Sequence, residues 1–147
     1  MFPSFFLRLI AASSILLAAG CEVSFEDISN DPEYSSIIGR NYISVVELSL
    51  LGIDVPPSYE EDVDYYLIDS KSPGWSGVEL ITEDILPVGS QIRVNTVERC
   101  TDCFLDSEPR IQFDVTLKGG TPIQGLPIKL RKYHFADSYF QLVSEET

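Results

Sequence analysis

The chain has 147 residues, with 23 Asp and Glu against 10 Lys and Arg, a formal net charge of −13, and one histidine and three cysteines. A balance this acidic excludes the basic patch that nucleic acid or an anionic membrane surface would require, and the length leaves room for one domain. A structural zinc site usually needs four ligands, and beside Cys100, Cys103 and the single histidine, His134, a second cysteine pair is missing.

In chain order, Met1 to Arg8 contains one charge, Arg8, and Leu9 to Ala19 is apolar apart from Ser13 and Ser14. A short basic region, a brief apolar core and small residues at its end describe a secretory signal peptide, and the core is too short to span a bilayer. Its ending, Leu17-Ala18-Ala19-Gly20-Cys21, resembles the lipobox of bacterial lipoproteins, with Ala18 where leucine is commoner. The resemblance implies cleavage before Cys21, lipidation of Cys21, a palmitate-bearing membrane anchor held by two or more acyl chains, and a place in the cell envelope. Glu22, rather than an aspartate there, implies the periplasmic face of the outer membrane. Residues 1–20 are then signal, and the 127 that remain hold nine Lys and Arg against 23 Asp and Glu, a formal charge of −14.

Residues 21–36, acidic and containing Asn30-Asp31-Pro32, read as a linker between membrane and domain. The single domain is expected over 37–147, and its signals are for strands. Tyr42–Leu51 is rich in β-branched residues and ends at Gly52. Val63–Asp69 alternates, a Pro-Gly turn at 72–77 leads to Val78–Thr82, and Leu86–Val94 is a turn feeding a strand. Arg110–Leu117 sets Ile111, Phe113, Val115 and Leu117 against Gln112, Asp114 and Thr116, the period of a strand with one buried and one wet face. Leu126–Tyr133 and Ser138–Val143 complete the set. Short strands separated by Gly, Pro and Asp predict a mainly β, antiparallel barrel or sandwich. The run Leu86-Pro87-Val88-Gly89-Ser90 before an alternating strand resembles the entry to a strand of SH3-like barrels, which implies that fold over residues 39–133; another small β-sandwich is the alternative.

Cys100-Thr101-Asp102-Cys103 lies between two expected strands. With Cys21 assigned to lipid, an even pair outside the cytoplasm reads as a structural disulfide. The redox reading needs a thiol activated by a helix N-terminus or positive neighbours, and Asp102 and Glu98 supply the opposite charge. His134 is expected at a strand end, partly buried or exposed, and Gly74-Trp75-Ser76-Gly77 is not the G-x-S-x-G elbow. No catalytic residue, metal or cofactor is expected. The acidic loop containing Tyr59, Glu60, Glu61 and Asp62 lacks the glycine and distal glutamate of a calcium loop. With Tyr66 (or Tyr65) and Trp75, it is the expected partner-binding surface, since Tyr and Trp beside polar groups suit recognition. The functional expectation is a lipid-anchored, non-enzymatic envelope module that binds a protein or the cell wall. The alternatives are an acidic inhibitor or immunity protein against a basic toxin or lysozyme, and a thiol–disulfide oxidoreductase using Cys100 and Cys103.

Overall fold

A computed structural model describes residues 24–55, 62–70, 79–103 and 110–143. Nine strands follow one another, with no α-helix among the described residues: β1 (Phe25–Asp27), β2 (Asn41–Ser44), β3 (Leu48–Ile53), β4 (Tyr65–Ser70), β5 (Leu80–Leu86), β6 (Gln91–Cys100), β7 (Ile111–Leu117), β8 (Ile128–Arg131) and β9 (Phe140–Leu142). A 3-10 turn, Lys132–His134, separates the last two. The chain is mainly β, and among the described residues no helix is long and apolar enough to cross a membrane.

The strands form one sheet in the order β5-β3-β4-β8-β7-β6-β2-β9. All pairs are antiparallel except β4 with β8, which run parallel. The path has two ends and does not close into the expected SH3-like barrel; a single sheet of nine strands is compatible with the alternative, a small β-sandwich. One buried cluster takes Leu86 from the β5 end, Phe140 from the β9 end, and Tyr66, Ile92, Val94, Phe113 and Leu130 from between them. The sheet therefore wraps a single core. Leu51, Ile53 and Leu67 form a second, smaller cluster, which is why β3 is buried on both faces.

β6 is the spine of the sheet. β7 runs along one side of it from Ile92 to Arg99. The other side is shared: β2 pairs with residues 91–93, and β1 with 98–100. The stretch read as a linker is thus part of the domain. Ile28 donates its N–H to the Val97 carbonyl at 2.9 Å, and Ile28 and Tyr34 are buried in the main core. An acidic composition hid two apolar anchors that only the tertiary fold pairs with β6.

The expected strand Tyr42–Leu51 is also two strands. β2 and β3 occupy distant places in the sheet, and the turn between them is tied to the Pro87–Ser90 turn. Ser44, 1 % exposed, donates its N–H to the Ser90 carbonyl at 2.8 Å and accepts at its own carbonyl from the Gly89 N–H at 2.9 Å. Its hydroxyl donates to the Pro87 carbonyl at 3.0 Å. Gly89, with φ +89°, supplies the left-handed residue that this turn needs. Gly52, expected to end the strand, lies inside β3.

Candidate functional site

Residues of the expected partner surface separate. Cys21, Tyr59, Glu60, Glu61 and Trp75 lie outside the described residues. Asp62 is exposed. Tyr66 is not a surface residue: it is 1 % exposed and packs in the main core, because even-numbered positions of β4 face inward. Tyr65, on the other face, is the half-buried one.

Cys100 and Cys103 are joined, with Cα atoms 5.7 Å apart, at the end of β6. The N-terminal segment is fastened to the same place. Thr101 donates its N–H to the Ser24 carbonyl at 2.9 Å, and the Ser24 hydroxyl donates to Asp102. With Phe25 opposite Cys100, the start of the described chain is held against the disulfide turn.

At the opposite end of β6 and β7, a cavity of about 520 Å³ opens beneath the β7–β8 connection. Lys118 fixes that connection to the start of β6 through a 2.9 Å bond from its N–H to the Gln91 carbonyl. Asn95, the cavity's residue on β6, lies five strand residues from Cys100, roughly 16 Å, and the β7–β8 connection over the cavity starts beyond it at the Gln91 end, so the cavity lies toward the pole away from the fastened terminus. Leu117, Leu126 and Pro127 are its apolar walls, and Asn95, Asp114 and Thr116 its polar side.

Asn95 reaches this wall because of a bulge. The β6–β7 register slips between Val94 and Thr96, leaving Asn95 as the extra residue, and a bulge re-aims a side chain in this way. Its amide donates to Asp114 Oδ1 at 3.1 Å and to Thr116 Oγ1 at 2.9 Å. Asp114 Oδ2 pairs with Lys129 Nζ at 3.2 Å, and Lys129 pairs with Glu98 at 2.9 Å. Gln112 closes the row by donating to Glu98 at 3.0 Å. Burial alone would lower the Lys129 pKa, but the bond to Glu98 and the charges of Asp114 and Glu98 outweigh it and raise it, so Lys129 stays charged. One lysine against two carboxylates leaves this row one negative charge, so the polar wall of the cavity is partly compensated. Its chemistry is that of amide, hydroxyl and a carboxylate that shares one lysine with Glu98, which disfavours an anion and suits a hydrogen-bonding ligand; the volume falls within the range of small-ligand sites.

His134 is buried, 5 % exposed, and not at an open strand end. The 3-10 turn carries it inward, where Nε2 lies 3.1 Å from Asp69 Oδ1 and Tyr139 packs on the ring. Burial lowers its pKa, Asp69 opposes this, and Arg131 adds to the lowering. The neutral ring donates through Nε2–H, and the buried Nδ1 has no hydrogen-bond partner among the described residues. A nucleophile would have to sit at that nitrogen for the pair to act as a triad, and no hydroxyl of the described residues bonds to it. Sequence reasoning missed the pair because residues on β4 and the late 3-10 turn meet only through the sheet order. It missed the Asn95 cavity because a bulge leaves no local mark beyond an Asn in a strand.

No protein-family model matches the chain, and neither a curated protein nor a solved structure does.

Proposed function

We propose that this is a lipid-anchored protein of the bacterial cell envelope that binds a ligand without transforming it. The observation that carries the reading is the cavity beside Asn95, Asp114 and Thr116, at the pole opposite the fastened N-terminal segment. Two residues separate Cys21 from Ser24, so a lipidated Cys21 would lie within about 11 Å of the disulfide pole. The cavity would then open away from the membrane. A hydroxyl- and amide-bearing wall with a residual negative charge favours a neutral cell-wall glycan over an anionic metabolite. The test is an amide-shift titration of the lipid-free protein with soluble wall glycan fragments. Shifts clustered at Asn95, Thr116 and Gly120–Gly125, and reduced in Asn95→Leu, are expected. Shifts elsewhere, or none, would overturn the assignment.

A second reading, an acidic inhibitor or immunity protein against a basic toxin or lysozyme, draws on the net charge of −13, the small size and the proposed anchor. It requires an affinity that falls steeply with added salt; affinity indifferent to salt would remove it.

A further inference from the structure

β5 is the last strand at one end of the sheet. It pairs with β3, and no strand among the described residues pairs with its other side. In an antiparallel edge strand alternate residues turn both N–H and C=O outward, so an unpaired edge is a template for another strand. Thr82, Glu83, Asp84 and Ile85 are all exposed, and Ile85 is 66 % exposed. Both faces of the strand are therefore open at these four positions, as well as its edge. The other end of the sheet differs: β9 has three residues, too few to hold an added strand in register.

The side chains on β5 select what can pair there. Glu83 and Asp84 are adjacent and point to opposite faces, so an incoming strand meets a carboxylate on each face and Ile85 beside Glu83. A second copy pairing β5 with β5 would bring like charges together, which is unfavourable across strands. A strand carrying Lys or Arg at those places would meet opposite charges, and the net charge of −13 would draw it in.

We propose that β5 is a strand-addition site that takes an extended basic segment of a partner protein onto the free edge of the sheet. Backbone hydrogen bonds would hold the segment, while Glu83, Asp84 and Ile85 would choose it. This surface is separate from the cavity at β7, so the failure of either assignment leaves the other standing.

The test uses the full-length protein in detergent and a labelled nine-residue peptide of valine and threonine with two adjacent lysines at its centre, which present one charge to each face. Its partner probe is the same peptide N-methylated at every residue, which keeps the charge and side chains but loses every backbone donor. The expected result is binding of the first peptide, at least about tenfold weaker binding of the second, and amide shifts confined to Leu80–Leu86. Glu83→Gln with Asp84→Asn, which removes both charges but leaves an acceptor for the buried Ser49 hydroxyl that donates to Glu83 at 3.1 Å, should weaken binding roughly tenfold while far-ultraviolet circular dichroism is unchanged. Equal affinity for the two peptides would reduce the effect to charge attraction and overturn the proposal. So would shifts at the cavity instead of β5, no binding of either peptide, or a β5-dependent dimer in sedimentation.

Discussion

At Gly52 a methyl group would press on the Thr82 hydroxyl and come within 2.9 Å of Val63 Cγ2. Glycine is there for space, since neighbouring strand and loop close over β3. Gly52→Ala should cost about 1–3 kcal/mol, the range for overpacking, read as a lower urea midpoint. The cost should shrink when Thr82 and Val63 are both alanine. His134 gives the second prediction at this scale. Its pKa in the folded protein lies below the ordinary 6.5, so below that pH the unfolded chain takes up a proton that the folded one refuses. Stability is then full above pH 6.5 and declines as pH falls toward the folded value, by at most about 1.4 kcal/mol per pH unit. Urea midpoints at pH 7.5 and 5.5 should show this decline in the native protein, and a shallower one in His134→Gln. An unchanged slope would mean that other groups carry it.

At the scale of elements, the β6–β7 pair is held by two different devices. Along its middle, Gln112, Glu98, Lys129, Asp114, Asn95 and Thr116 make one connected polar row over three strands. At its end, the Cys100–Cys103 bond closes a ring so small that the chain-entropy relation assigns it only about 2 kcal/mol. Its larger effect is local, because the turn it shapes receives Ser24 and β1. Replacing both cysteines by serine should therefore lower the unfolding midpoint modestly. Hydrogen exchange should accelerate at Thr101 and the β1 amides, while Val94 and Val115 in the core remain protected. Acceleration spread evenly over β6 and β7 would show that the ring supports the whole pair.

For the whole molecule, the two poles matter most. The N-terminal segment is fastened at the disulfide end, and the cavity and the Pro87–Ser90 turn occupy the other. If Cys21 is the anchor, Cys21→Ser should move the protein from the membrane fraction to the soluble fraction with its β-type circular dichroism intact. A variant still held by membranes would require another means of attachment. The acidic surface belongs to this scale as well. Under the strand-addition proposal it would oppose pairing of the β5 edge with its own copy and favour a strand of opposite charge.

The sequence by itself determined the mainly β class, the position of most strands and the cysteine pairing. These depend on local signals: the alternation of Ile111–Leu117, the turn residues at Pro87–Ser90, and two cysteines left close together in the chain. Tertiary structure decided which apolar residues found partners. Ile28 and Tyr34 sit in acidic sequence, yet β6 offers them a place in the core. Tyr42–Leu51 looks like one strand, yet its halves pair with β6 and with β4 and β5. Tyr65 and Tyr66 are chemically alike, and only the packing of β4 chose Tyr66 for burial. The His134–Asp69 pair and the Asn95 cavity arise from sheet order and a one-residue slip in register. A sheet is built from contacts between distant segments, so its sites are written in the pairing and not in any single stretch of the chain.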